Sequence, residues 1–286
     1  MEDNRNVIEA ITARLKRCSK GQRKIGEYLL RNYAVASHMT AAKLSETVGV
    51  SESTIVRYAV ELGYDGYPEL QSALKYAARS KLTSVEKMEL SGQLGGDTLV
   101  DCLTTDAESI RKTLSLINKM DFDAFVTAVM KADRIFIVGA RSSASLAMFL
   151  NFYLSILFDN VHIIHTVIGS EAYDQIFKVK KGDVVLGITF PRYSKLTVDV
   201  LAFSKRQGAT VLGITDSGHS PIAATADITL FANNESDTFV DSLVAPLSII
   251  NALLMEIGRR DPVRAGSRFG ILERIWAEND VYDKDV

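Results

Sequence analysis

From Asp133 to Phe231 the sequence keeps one rhythm: a short run rich in β-branched residues, then a stretch whose apolar positions recur at helical spacing. The runs are Ile135–Val138, Val161–Ile164, Val184–Thr189, Thr210–Thr215 and Ile228–Phe231, and helices fit at 143–158, 194–207 and 239–258. Strands joined through a helix run parallel, because the helix returns the chain to the end where the previous strand began. Strands buried on both faces read as near-continuous apolar runs, and such a sheet needs helices over each face. The pattern predicts an α-β-α sandwich around a five-stranded parallel sheet. Ligands on sheets of this kind bind outside the carboxyl ends of the strands.

The first 78 residues lack that rhythm and are helical throughout. Val7, Ile8, Ile11 and Leu15 give a first helix one apolar face. Ser19 and Gln22 fit a capping box that opens a second helix carrying Ile25, Tyr28 and Leu29. Further helices are expected at 41–48, 52–62 and 67–78. None is long enough to persist alone in water, so they must pack together as a small all-helical domain. Residues 79–97, polar and ending in Gly95 and Gly96, read as a linker whose first part can extend a helix. Amphipathic helices follow at 98–118 and 121–132. The expected division is a helical domain at 1–78, a linker at 79–97 and an α/β body at 98–286.

Charge separates the two ends. The net charge is −2 over 286 residues, yet residues 1–80 hold 12 Lys/Arg to 9 Asp/Glu and residues 81–286 hold 21 to 26. Between Arg5 and Arg31 the counts are 8 to 2. A basic end on an acidic remainder suits a polyanion at that end only. Cys18 and Cys102 are far apart, with no CxxC and no Cys/His cluster, which implies a reducing compartment without disulfides or a metal site. The charged start MEDNRNVIEA has no apolar signal core. The longest uncharged apolar runs, Leu146–Phe158 and Ser242–Met255, fall short of the about 20 residues that cross a bilayer. The expected location is the cytoplasm, with no membrane partner.

Thr40–Gly63 reads TAAKLSETVGVSESTIVRYAVELG. Leu44 and Val48 give one helix an inward face, Gly49 supplies a turn that needs positive φ, and Val50 plugs the gap between helices. Ser51 is expected to cap the next helix, whose inward face is Ile55, Ala59 and Leu62. The outward face presents Ser53, Thr54 and Arg57. This is a helix-turn-helix layout, in which the second helix enters the major groove of DNA by its amino end. Ser51, Ser53 and Thr54 suit phosphate oxygens, and Arg57 suits a guanine edge or a phosphate. Arg14, Lys16, Arg17, Lys20, Arg23 and Lys24 are placed to neutralise backbone phosphates.

Ile135–Ala144, IFIVGARSSA, is a strand, a glycine and then hydroxyls as a helix begins. A helix start offers unpaired amides and the positive end of the dipole, which favour an anion such as phosphate. Ser142 and Ser143 add donors. Arg141 stands at the second glycine of a GxGxxG pattern and opposes a dinucleotide there. A second strand-to-helix junction, Gly187–Lys195, supplies Arg192 and Ser194. Together Ser142, Ser143, Arg192 and Ser194 form the expected effector site.

With both motifs in view, the chain resembles the RpiR (MurR/RpiR) family of bacterial transcription regulators. These join an N-terminal helix-turn-helix domain to a sugar-isomerase (SIS) domain that senses phosphosugars. Val50–Tyr58 with Leu62–Tyr67 is similar to the family's VSxxTxxRF…LGFxGF run, and Ala132–Ala147 resembles the first SIS phosphate motif. Ile214–Pro221, followed by Ala226 and Asp227, resembles a later SIS landmark. Two departures stand out. Arg141 replaces the second glycine of the first loop, and Pro191-Arg192-Tyr193-Ser194 stands where the family has Ser-Gly-x-Thr. Two arginines at such a site suit a ligand with additional negative charge.

The resemblance implies a DNA-binding transcriptional regulator, read as a repressor, whose operator affinity answers to a phosphorylated sugar, polyol or sugar acid. It implies a double-stranded DNA operator as partner and a homodimer or homotetramer, with Ser242–Met255 and the helices before Asp133 as interface. The alternative is a SIS-type sugar-phosphate isomerase, which needs a positioned base. Glu171, His165 and His219 are of the right type, but no feature assembles them; His162 and His165 are expected on opposite faces of one strand. No catalytic residue, cofactor or metal ligand is assigned.

Overall fold

A computed structural model describes residues 7–81, 83–91, 97–165, 171–234 and 238–283. The chain divides into two compact units, Met1–Leu90 and Ser91–Val286.

In the first unit, α1 (Val7–Arg14) runs into a 3-10 turn (Leu15–Arg17), followed by α2 (Lys20–Ala36), α3 (Ala41–Val48), α4 (Glu52–Glu61), α5 (Tyr67–Lys81) and α6 (Ser84–Ser91). The box at the start of α2 forms in both directions: the Ser19 hydroxyl accepts from the Gln22 amide and the Gln22 side chain accepts from the Ser19 amide. Ile11, Ile25, Leu29, Leu44, Ile55 and Leu70, none of them exposed, meet in one core. The α6 helix lies inside the stretch expected to be a linker. Its cause is a second capping box, in which Thr83 and Glu86 exchange side-chain-to-amide bonds of 2.7 and 3.2 Å. Gly95 and Gly96 lie outside the described residues.

The second unit opens with α7 (Thr98–Leu116) and α8 (Lys119–Lys131). It continues as β1 (Ile135–Gly139), α9 (Ser143–Leu157), β2 (Val161–Ile163), α10 (Glu171–Ile176), β3 (Val184–Ile188), α11 (Lys195–Arg206), β4 (Thr210–Thr215), β5 (Ile228–Phe231), α12 (Val244–Arg260) and α13 (Pro262–Glu278). The five strands form one parallel sheet in the order β2-β1-β3-β4-β5. Two elements were not anticipated. α10 has only six residues, too few to show a helical period. α13 starts where Asp261 caps the Arg264 amide and Pro262 takes the first turn.

The strand order fixes the site. From β1 the chain steps outward to β2, and from β3 it steps the other way to β4. Right-handed crossovers in opposite directions put their helices on opposite faces. Accordingly α8, α9 and α12 share one core with the sheet, around Phe125, Leu150 and Leu253, while α10 and α11 share the other, around Ile176, Val200 and Leu201. The crossovers therefore part between β1 and β3, which makes the carboxyl edge there the topological switch point at which doubly wound sheets bind ligands.

At the opposite edge, Arg134 donates to both carboxylate oxygens of Asp183, at 2.9 and 2.5 Å, and to the Lys178 carbonyl. The Asp183 side chain is fully buried and also accepts from the Lys180 amide. Burial pushes its carboxyl upward, but the Arg134 bond, the Lys180 amide and the positive charge of both residues outweigh that and hold it below the usual carboxylate range. No helix of the described residues is long and apolar enough to cross a membrane.

Candidate functional site

In the helical unit, Thr40 caps α3 by accepting from the Lys43 amide, and Gly49 ends it with φ 71 and ψ 49. A side chain at Gly49 would meet nothing within 4 Å, so the position needs glycine for its backbone and not for space. α4 then buries Ile55, Tyr58 and Ala59, with Leu62 just beyond, and turns Ser53 and Arg57 outward. Thr54 is half-buried. Ser51 has the extended backbone of an N-cap, but its hydroxyl does not take a backbone amide. It lies 3.0 Å from the Ser53 hydroxyl and 2.7 Å from that of Thr54. The expected cap is therefore replaced by a cluster of three hydroxyls at the tip of α4. The Arg57 Nε donates to the Ser53 carbonyl, which lays the guanidinium back along the outer face of the helix.

The basic residues ahead of this motif divide. Lys16, Arg17, Lys20, Arg23 and Lys24 are exposed. Arg14 is half-buried and pairs with Glu61 at the far end of α4, so it braces the fold rather than serving phosphate. The first turn of α2 lies against the first turn of α4, since a Cβ at Gly21 would stand 3.8 Å from both Thr54 and Val50. Lys20 and the Ser51-Ser53-Thr54 cluster thus occupy one side of the unit, a proximity that spacing in sequence does not reveal. Tyr58 is buried without a hydrogen-bond partner for its hydroxyl among the described residues, and that burial drives its ionisation well above the ordinary phenol range.

In the α/β unit, the effector residues lie on two loops that leave adjacent strands. Gly139, the last residue of β1, is the register partner of Ile188, the last of β3. A Cβ at Gly139 would come within 2.5 Å of the Ser143 carbonyl oxygen and 3.0 Å of the Ala147 methyl, so glycine is what allows α9 to begin hard against the strand. Ser142 is exposed at the tip of α9 and makes no side-chain cap, while Ser143 is buried. On the second loop, Ser194 caps α11 by accepting from the Thr197 amide, and its own amide donates to the Thr189 hydroxyl at 3.1 Å. Arg192 is exposed. Ser142, Ser143, Arg192 and Ser194 all stand at the carboxyl edge between β1 and β3.

Three further features of this edge are not visible in residue order. Arg141 and Arg192 both hold left-handed backbones, φ 58 and φ 64. For a residue with a Cβ this costs about 1–2 kcal/mol. The Tyr193 hydroxyl reaches the Asp216 carboxylate, at 2.9 and 3.1 Å, and ties the loop after β3 to the loop after β4. Thr197 in the first turn of α11 is fully buried, and its hydroxyl has no hydrogen-bond partner among the described residues.

The residues of the isomerase alternative stay on separate segments. β2 ends at Ile163, so His165 lies beyond the strand and not on it; its amide and carbonyl are bonded to the Gln175 side chain. His162 stacks on Phe136 with ring centroids 5.1 Å apart. Glu171 is exposed at the start of α10, next to Gly169 and Ser170, which lie outside the described residues. His219 is exposed in the turn after β4.

The helix-turn-helix domain of the rpiR family matches residues 5–81, and the SIS domain matches residues 129–256. The HTH-type transcriptional regulator HexR of Pseudomonas aeruginosa is 26% identical over 258 residues, 87% of this chain and 88% of that protein. An uncharacterized HTH-type transcriptional regulator of Caldanaerobacter subterraneus is 23% identical over 262 residues, 89% of this chain and 91% of that protein. The sugar isomerase domain of an RpiR transcription factor from Sphaerobacter thermophilus superposes with a TM-score of 0.60 at 28% identity, over 63% of this chain and 99% of that domain. NanR of Vibrio vulnificus, solved with ManNAc-6P, superposes with a TM-score of 0.61 at 20% identity, over 94% of this chain and 98% of that one. The chain belongs to the RpiR family of transcriptional regulators, with a helix-turn-helix domain at its amino end and a SIS domain after it.

Proposed function

We propose that this regulator is a cytoplasmic repressor whose affinity for its operator is set by a phosphorylated sugar, polyol or sugar acid. The phosphate sits at the carboxyl edge between β1 and β3, held by the first-turn amides of α9 and α11 and by Ser142, Ser143 and Ser194. The observation that carries this is the side-by-side placement of two hydroxyl-bearing helix starts at the switch point of the sheet. NanR of Vibrio vulnificus, which shares the fold, is described with a sugar phosphate bound.

On the DNA side, Ser53, Thr54 and Arg57 face the major groove while Ser51 and the exposed lysines and arginines of α2 meet backbone phosphates. A homodimer, or a dimer of dimers, presents two such units to a palindromic operator. Effector binding changes operator affinity only as far as the ligand prefers one arrangement of the two units over another.

A thermal-shift screen over phosphorylated sugars, polyols and sugar acids tests this, because a ligand specific to the folded state raises the melting temperature. At least one member should raise it, and the Ser143→Ala variant should weaken that response. A panel without a single hit would count against the phosphosugar, and isomerisation of a hit would favour the enzyme.

A further inference from the structure

α7 carries its polar side inward and its apolar side outward. Toward its own unit, Ser109 and Thr113 are buried, the Thr113 hydroxyl accepts from the Asn233 amide, and the Asp106 carboxylate accepts from the Ser242 hydroxyl. Leu99, Leu103, Ile110 and Leu114 are instead 67, 62, 39 and 78% exposed, with Val100 also open. At about 100° per residue these four fall within about 60° of one another, one stripe along the helix. A surface helix ordinarily turns such a stripe to its core. The five side chains leave on the order of 500 Å² of apolar surface open, the scale that marks an interaction site. That is the larger part of the about 800 Å² that one partner brings to a standard interface. α12, by contrast, buries Ile249, Ile250, Leu253 and Ile257 within its own unit.

The spacing of the stripe indicates what covers it. Its four members stand at intervals of four, seven and four residues, so it reads the same from either end. An isologous two-fold contact needs such self-complementarity, because residue i meets j wherever j meets i. With the axis crossing α7 between Asp106 and Ala107, an antiparallel second copy sets Leu99 against the partner's Leu114 and Leu103 against the partner's Ile110. Ala107, at the crossing, is small enough for the two backbones to approach. Charge favours the same direction. Asp97 and Asp101 lie at the start of α7 and Arg111 and Lys112 toward its end, so antiparallel pairing brings unlike charges to one level. Parallel pairing would bring like charges together. We propose that two copies of this chain associate through their α7 helices, antiparallel, about a two-fold axis beside Ala107. This rests on the homodimer of the reading above and adds to it the surface and the register.

The test is sedimentation equilibrium of the full chain and its variants. Wild type should sediment as a dimer or tetramer at micromolar concentration. Leu103→Glu and Ile110→Lys, both at exposed positions, should each sediment at half that mass with unchanged far-ultraviolet circular dichroism. Each change acts at two symmetric contacts, so the dissociation constant should rise at least about 100-fold, tenfold per contact. Leu114→Ser repeats the test at the most exposed of the four without adding a charge. In the antiparallel register the double variant Leu103→Glu, Ile110→Lys regains the larger mass, because the two changed positions face each other. A parallel register would oppose like charges and regain nothing. A monomeric wild type overturns the α7 pairing and the homodimer with it. Unchanged mass in the single variants overturns the pairing and leaves the homodimer standing. A double variant that does not recover overturns the antiparallel register.

Discussion

A methyl group on Gly139 would stand 2.5 Å from the carbonyl oxygen of Ser143, so the end of β1 and the first turn of α9 are in direct contact. The obstacle is backbone, which cannot swing aside as a long side chain does. Gly139→Ala should therefore push α9 outward, destabilise the α/β unit by about 1–3 kcal/mol, and weaken effector binding. Denaturant unfolding and calorimetry on the same variant read both effects.

Gly49 poses the opposite case. Nothing lies within 4 Å of where its Cβ would be, and only its φ of 71 demands glycine. Gly49→Ala should cost about 1 kcal/mol by backbone strain alone, and Gly49→Asn less, because asparagine tolerates the left-handed region. Urea unfolding of the two variants gives the order.

Asp183 makes stability depend on pH in the acid range. Its carboxyl in the folded chain lies below the ordinary value, so the unfolded chain takes up a proton first as pH falls. The contribution is complete above the unfolded value, about 4, and is lost as pH drops through the folded one. Asp183→Asn should destabilise the protein by about 3 kcal/mol at pH 7, the lower end of the cost of breaking a buried ion pair, since Arg134, a quarter exposed, loses its partner. The gap between wild type and variant should narrow in unfolding curves taken near pH 3.

Arg57→Ala should lower affinity for a specific duplex by about 5- to 150-fold, the equivalent of about 1–3 kcal/mol for a bidentate base contact. Its guanidinium is exposed and, among the described residues, bonds only along its own helix, so the melting temperature should stay within about 2 °C. Fluorescence anisotropy with matched and scrambled duplexes separates loss of specificity from loss of charge.

Much of this architecture is legible in residue order. Thr210–Thr215 and Ile228–Phe231 stand as strands with the expected bounds, because short runs rich in β-branched residues between turn signals suit a pleated sheet. The Ser19–Gln22 box marks the start of α2 for the same kind of local reason. What escapes is set by partners distant in sequence. Nothing around Ser51 foretells that its hydroxyl joins those of Ser53 and Thr54, and nothing around Arg14 names Glu61. The left-handed backbones of Arg141 and Arg192 are hidden, since a residue type with a Cβ gives no hint of positive φ. The two effector loops meet because β1 pairs with β3, and strand order is a property of the whole sheet.

The central claim is that ligand in the SIS domain governs DNA binding by the helix-turn-helix domain. The most direct measurement is the affinity of the full chain for a duplex it selects from a random pool, taken with and without saturating amounts of the ligand that raises its melting temperature. The account predicts a change of at least about fivefold, the lower end of coupling free energies between linked sites, with Arg57→Ala weakening the DNA signal and leaving the ligand signal intact. Identical DNA affinity in the presence and absence of bound ligand would contradict it.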